Sequence, residues 1–351
     1  MPEATGTATQ SPSNRKGLCS LGEPPQVVGL DKLSLSFRVE KYDARPDQWD
    51  EVRRRHVLDD KGRSGYVTSM KKSERVGGSS VFVSLTEIPE ARAGAWWGKV
   101  ELNPSRVVDA EGVGLAHVED LPEVLAVAEI AACIGMEPAE PVADWRVKRV
   151  DLARDFEAVD DPGRLIRGLA PVHRPYARLN LIHADPHRNR AETLMVGSGA
   201  GVVRLYNKHV QSGGQAAEGT VRWESECKKG WLNERGSVKR VSDLDAESTE
   251  RLALDRWEWS QMGVEVASSI GRLVQATAQT ELTERERVFF VGWLMCEAGG
   301  QPVRGLSKAT LAKYRRVQRQ IGIAAPCDVV SMVEVVSRLD WDSGREVLRV
   351  A

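Results

Sequence analysis

At 351 residues, with 49 Lys and Arg against 50 Asp and Glu, the chain is long enough for one large core plus a smaller domain. Its net charge of −1 excludes a protein that coats nucleic acid through bulk positive charge. No apolar run approaches the ~18 residues of a membrane span, and residues 1–24, rich in Pro, Ser, Thr, Gly and Glu, lack the basic-then-apolar order of a secretory signal. Cys19, Cys133, Cys227, Cys296 and Cys327 are scattered without a metal-ligand spacing, which suits a reducing cytoplasm.

In chain order, residues 1–27 read as a disordered segment. Leu30 to Val39 alternates as a strand, and Arg45 to Val57 reads as a helix whose Arg53, Arg54 and Arg55 form a solvated face. Val81 to Leu85 and Lys99 to Leu102 are strands. Trp96 and Trp97 precede the second of these, a pair that suits core or edge packing and would also serve as a base-stacking platform. Ala116 to Ile134, rich in Ala, Leu and Glu, is a helix. Trp145 to Phe156, W-R-V-K-R-V-D-L-A-R-D-F, is a strand carrying Asp151, with Val150 and Leu152 directed away from it. A helix over Asp161 to Leu169 follows, and His183 and His187 are loop residues.

The next two strands hold the most legible chemistry. In Gly201 to Lys208, Arg204, Tyr206 and Lys208 alternate with Val203, Leu205 and Asn207, so the tyrosine is flanked by two cations on one face. In Thr220 to Lys228, Arg222, Glu224 and Glu226 alternate with Val221, Trp223, Ser225 and Cys227. A loop with Gly213, Gly214 and Gly219 joins the two as an antiparallel hairpin. Alternating Arg and Glu also suits a solvated face of cross-strand ion pairs. Set beside the strand of Asp151, however, the hairpin makes an oxygen-rich site for a hard divalent cation, Mg²⁺ or Mn²⁺, with Asp151 and Glu224 as ligands and Asp155 and Glu226 as additional ones. A tyrosine hydroxyl, with a free pKa of about 10, needs neighbouring charge or a base to become a nucleophile. Arg204 and Lys208 supply that charge, and a metal ion would polarise a phosphoryl oxygen for in-line attack.

From residue 246 the chain reads as helical. The capping box Thr283 to Glu286 opens one helix. Ser307 caps a second, with Leu306 and Leu311 as a hydrophobic staple and Gly322 at its stop. Lys308, Lys313, Arg315, Arg316 and Arg319 lie on this second helix with no acidic residue among them, a DNA-binding stripe in a helix-turn-helix-like pair.

Several of these segments resemble one family. V-R-L-Y-N-K-H and V-R-W-E-S-E are similar to segments of the rolling-circle replication initiators of the filamentous-phage gene II/X type and the trans-acting plasmid type. Asp151 in R-V-D-L-A-R-D-F fits their acidic strand, V-E-L-N-P-S-R their N-P-x-[KR] segment, and Gly305 to Ile323 their C-terminal basic helix. The resemblance covers roughly residues 30 to 325 in one order. It departs from other rolling-circle endonucleases in having neither a His-hydrophobic-His motif nor a Tyr-x-x-x-Tyr pair, so a second cleavage would need another subunit, water, or a tyrosine such as Tyr176.

The strands and helices in this order read as an α+β fold, an antiparallel sheet covered by helices, and the resemblance agrees with it. Residues 28–245 would form a nicking and joining domain and 246–351 a helical DNA-binding domain. The resemblance implies a metal-dependent DNA endonuclease that works through a 5′-phosphotyrosine. Its partners would be origin DNA, double-stranded and exposed single-stranded, with a host helicase and polymerase, a homodimer as a further partner state, and no membrane. A conjugative relaxase with the same chemistry and a helix-turn-helix regulator that binds without cutting are the alternatives.

Overall fold

The computed structural model describes residues 18–19, 21, 28–42, 45, 48–58, 64–76, 78–87, 96–109, 111–157, 159–170, 172, 178–182, 193–198, 201–267, 270–298, 303 and 305–324. The first strands are β1 (Leu18–Cys19), β2 (Gly29–Tyr42), β3 (Glu51–Leu58), β4 (Ser64–Val76), β5 (Ser79–Glu87), β6 (Trp96–Leu102) and β7 (Met136–Pro138). They are followed by β8 (Arg146–Phe156), β9 (Arg178–Ile182), β10 (Thr193–Ser198), β11 (Gly201–Asn207), β12 (Val221–Lys228), β13 (Glu265–Ala267) and β14 (Ile323–Ala324). The helices are α1 (Ser105–Val108), α2 (Leu121–Cys133), α3 (Pro162–Leu169), α4 (Lys208–Gln211), α5 (Lys229–Trp231), α6 (Ala246–Ser260), α7 (Ile270–Thr277), α8 (Glu284–Ala298) and α9 (Lys308–Ile321). Among the described residues no helix is long and apolar enough to cross a membrane.

Two compact units emerge: Glu23–Ile166 with Arg174–Gly263, and Met1–Gly22 with Arg167–His173 and Val264–Ala351. The first is built on one large sheet in the order β3-β4-β5-β6-β2-β8-β12-β11-β10-β9, with β7 paired to β2. Every pairing in it is antiparallel, so the α+β architecture read from the sequence is the one observed.

Period-two alternation divides this sheet into an apolar and a polar face. Leu33, Leu35 and Phe37 on β2, Val100 and Leu102 on β6, Val150 and Leu152 on β8, Trp223 on β12, and Val203 and Leu205 on β11 are all buried and fall in register on the first. Lys72 of β4, also on this face, donates from Nζ to the carbonyl of Ile134 at the end of α2, which places that helix over the apolar side. At the other end α6 packs here through Trp257, whose ring lies 5.9 Å from that of Trp223 and 5.5 Å from that of Phe156. Buried Arg256, one residue earlier, donates to Ser225 Oγ at 2.8 Å and sits over the rings of Trp231 and Trp259.

Four expectations are corrected. Residues 51–57, expected within a helix, belong to a strand: Arg53, Arg54 and Arg55 lie on β3, each paired with a residue of β4, the polar strand that the sequence pattern did not announce. The helix expected over residues 116–134 is α2 alone, because Ala116 bridges Leu30 and a 3₁₀ turn, Val118–Asp120, precedes it. The boundary near residue 245 lies instead after Gly263, since Trp257 and Arg256 tie α6 to the sheet. Within the segment expected to be disordered, Leu18–Cys19 pairs with β13; residues 1–17 lie outside the described residues.

In the second unit β1 and β14 flank β13, and α7, α8 and α9 enclose a core that includes Leu273, Phe290, Trp293, Tyr314 and Val317. The local signals read from the sequence hold. Thr283 and Glu286 exchange hydrogen bonds at the start of α8, Ser307 Oγ accepts from the Thr310 amide at 3.0 Å, Leu306 and Leu311 pack on the core, and Gly322 ends α9 at φ 62°.

Candidate active site

The polar face gathers its charge where β8, β12 and β11 run side by side. Their register sets Arg204 opposite Glu224, Tyr206 opposite Arg222 and Arg222 opposite Asp155, with Glu226 opposite Asp151. Directly opposed residues of an antiparallel pair share a face. The sequence pattern of the three strands therefore brings Arg204, Tyr206, Glu224, Glu226, Asp151 and Asp155 into one cluster, as expected. Gly201 lets β11 close onto β12: its φ is 147°, and a Cβ there would stand 1.9 Å from the Glu226 carbonyl oxygen.

Tyr206 is only 7% exposed. Its hydroxyl donates a short hydrogen bond to Glu224 Oε1, and Arg204 Nη1 lies 3.7 Å from the other carboxylate oxygen. Burial, then the Glu224 charge and its hydrogen bond, push the phenol well above its ordinary range, with Arg222 pulling the other way. Burial and the charge of Asp31 raise the Glu224 carboxyl as well, against the Tyr206 hydrogen bond and the two arginines. The phenol therefore lies above its ordinary range and not below it, as the neighbouring Arg204 and Lys208 were expected to place it, and it stays neutral as the hydrogen-bond donor to Glu224.

Arg222, 1% exposed, is clamped on Asp155 by two hydrogen bonds, Nε to Oδ1 at 2.6 Å and Nη2 to Oδ2 at 2.7 Å. Nη2 also donates to the Val113 carbonyl at 2.7 Å, and Asp31 lies 3.7 Å from Nη1. Lys208 does not continue β11; it opens α4, is buried, and donates to Gln211 Oε1 at 3.0 Å. Burial, then Arg222, lower its ammonium below the usual lysine range.

Three of the four carboxylates expected to hold a metal ion are paired closely with cations, and the fourth, Glu224, accepts from the Tyr206 hydroxyl with Arg204 at 3.7 Å. Asp155 is bound by Arg222, and Asp151 by Arg149, whose Nε is 2.6 Å from Oδ1. Glu226 meets Lys228 at 2.8 Å and Arg149 at 3.2 Å. Burial pushes Glu226 up, but the Lys228 hydrogen bond with the charges of Arg149, Lys228 and Arg204 holds it below the usual carboxylate range. Burial raises Asp151 despite its arginine. No group of three His, Cys, Asp or Glu among the described residues is placed to hold a metal ion. Paired in this way, Asp151, Glu224, Asp155 and Glu226 do not fit Mg²⁺ or Mn²⁺.

Comparison with solved structures finds the rolling circle replication initiator protein from Geobacillus stearothermophilus, 11% identical, over 84% of this chain and 97% of that one, with a TM-score of 0.31. The overlap is loose, and no residue is carried across from it. No protein-family model matches the chain, and no curated protein matches it.

Two members of the cluster were not anticipated, and Arg222 was placed on this face without a role. Arg149 was legible, since it shares the strand period of Asp151. Asp31 was not, because it sits at a register shift of β2 between Leu30 and Lys32. Tyr176, His183 and His187 lie outside the described residues.

The basic residues of α9 divide in two. Lys313 is paired with Glu286 at 2.7 Å and Arg316 with Glu281 at 3.2 Å. The lysine and two Thr283 hydrogen bonds hold the Glu286 carboxyl down at about 2. Lys308, Arg315 and Arg319 have no carboxylate partner among the described residues. At about 100° per residue these three fall within a 60° arc, roughly one stripe of the helix. Residues 299–307 separate α8 from α9, a connection longer than the about 3–4-residue turn of a helix-turn-helix.

Proposed function

We propose that this protein is a site-specific DNA nicking and joining enzyme that starts rolling-circle replication of a small phage or plasmid genome, with Tyr206 as its nucleophile. The observation that carries the reading is the Tyr206 hydroxyl seated on Glu224 and opposite Arg222. The ordered likeness of the flanking segments to replication initiators agrees with it.

In the proposed step Tyr206 Oη passes its proton to Glu224 and forms a bond to phosphorus. The bond from phosphorus to the 3′ oxygen breaks, leaving a 5′-phosphotyrosine. The departing oxygen takes a proton from Lys208, whose lowered pKa suits a general acid, and becomes a free 3′-hydroxyl. Arg204 and Arg222 stabilise the charge gathering on the phosphate. Rejoining runs the same steps in reverse.

Supercoiled DNA of the protein's own replicon, incubated with the protein with and without Mg²⁺, should be converted to open circles that carry protein. Because Glu224 must be ionised to accept the proton and its pKa is raised above 4.5, the rate should begin to fall on acidification at a pH above that value. Glu224→Gln should remove activity at every pH. A Glu224→Gln variant that nicks normally would make the tyrosine–glutamate contact a structural hydrogen bond.

Origin recognition is assigned to α9. Neutralising Lys308, Arg315 and Arg319 together should flatten the slope of log affinity against log salt on duplex origin DNA by about 2.7, at roughly 0.9 per phosphate contact. Filter binding across a salt series measures it. An unchanged slope would make α9 a packing element.

A further inference from the structure

The polar face carries a second feature that the tyrosine chemistry does not use: a groove of about 580 Å³ lined by Ser36, Trp97, Lys99, Arg146 and Lys148 among others. The strands assemble it directly. Ser36 of β2 is in register with Lys99 of β6 on one side and Arg146 of β8 on the other. A register shift in β8 against β2, between the partners of Ser34 and Leu35, puts Lys148 and Arg149 consecutively on the polar side between buried Val147 and Val150.

The groove's chemistry is one-sided. The Arg146 guanidinium lies 4.7 Å and the Lys148 ammonium 6.0 Å from the centre of the Trp97 ring. Lys99 has Glu101 at 3.0 Å, but among the described residues no carboxylate pairs with Arg146 or Lys148. Burial and the neighbouring cations Arg146, Lys229 and Lys99 lower the Lys148 ammonium, the direction expected where Arg146 and Lys148 stand close together beside Lys99. Ser36 is 5% exposed and its hydroxyl has no hydrogen-bond partner. Unpaired cations and an unsatisfied hydroxyl beside an indole are the chemistry that receives a phosphodiester and the unstacked base attached to it.

We infer that this groove binds single-stranded DNA, with phosphates on Arg146 and Lys148 and a base against Trp97. Its role as a path toward Tyr206 rests on the nicking function proposed above; binding itself does not. From Lys148 to Asp155, which is in line with Arg222 and Tyr206, β8 advances about 23 Å at ~3.3 Å per residue. A strand of the roughly 4–16 nucleotides that one such platform covers would span that distance.

The test is fluorescence anisotropy of a labelled oligodeoxythymidylate of about 12 nucleotides, a length within that site size, with the full chain and no divalent ion. Arg146→Ala with Lys148→Ala should weaken binding and reduce the salt slope by about 1.4, at roughly 0.7 per phosphate on a single strand. Trp97→Leu should weaken binding by a factor of about 5–150, the loss of one base–aromatic stack, and leave the slope unchanged. Thermal unfolding of each variant is measured alongside. Unchanged affinity and slope in the double variant would overturn the inference, as would tighter binding of oligouridylate or of a duplex of the same length. Tyr206→Phe should bind the oligonucleotide as the wild type does. A protein that binds through the groove yet never nicks would remove the nicking function and leave the groove. One that nicks while the double variant binds normally would do the reverse.

Discussion

Tyr206→Phe should abolish covalent attachment to DNA and keep duplex binding within about twofold, because nothing but the attacking oxygen is deleted; losing a nucleophile through which all turnover passes costs on the order of 10⁶ in rate. The ring stays on a strand whose apolar side, Val203 and Leu205, is untouched. Stability should fall modestly, by about 1–3 kcal/mol, since Glu224 loses one hydrogen bond in a buried setting while Arg204 remains beside it. Denaturing electrophoresis of labelled origin DNA reads the adduct directly, and a gel shift reads binding. An adduct that persists in the variant would assign the nucleophile elsewhere, with Tyr176 and Tyr314 the next to test.

The second large effect is on folding. Arg222→Ala should destabilise the protein by about 3–5 kcal/mol, the loss typical when one partner of a buried ion pair is removed and the other charge is left behind. Asp155 would lose both guanidinium hydrogen bonds and the Val113 carbonyl its donor. Urea unfolding followed by tryptophan fluorescence measures this, helped by Trp223 on the neighbouring strand positions. A change within the ~0–1 kcal/mol of an exposed pair would contradict the description of Arg222 as a buried clamp. Arg222→Ala should also depress nicking, because the tyrosine loses the cation opposite it.

The three strands of the site were legible because apolar residues recur there at every second position: Val150 and Leu152, Val203 and Leu205, and Val221 and Trp223 are buried and leave the reactive groups on the other face. What alternation could not say was which partner each charge would take. Asp155 and Asp151 read equally well as metal ligands and as arginine partners, and only the register that sets Arg222 beside Asp155, with Arg149 two residues from Asp151 on the same strand, decides between them.

Register shifts hide residues from any period. Asp31 and Lys148 both sit at such shifts, and both face polar neighbours that a two-residue repeat would not have assigned. β3 was misread because a run of arginines after Trp49 resembles a solvated helix face, whereas its pairing partner β4 is too polar to announce itself as a strand. The caps of α8 and α9 were read correctly because they depend on residues three or four positions apart and on nothing distant.

If Tyr206 is the nucleophile, its oxygen becomes bonded to a 5′-phosphate, and mass spectrometry of the trapped complex reads that bond. Nicked origin DNA with protein attached is digested with nuclease and then with trypsin, which releases Leu205 to Lys208, Leu-Tyr-Asn-Lys, as a short peptide. The peptide should carry a nucleotide 5′-phosphate, localised to its tyrosine by fragmentation and absent when Glu224→Gln protein is used. A nucleotide found on a peptide containing Tyr176 or Tyr314, or open circles formed with no peptide adduct at all, would contradict Tyr206 as the nucleophile.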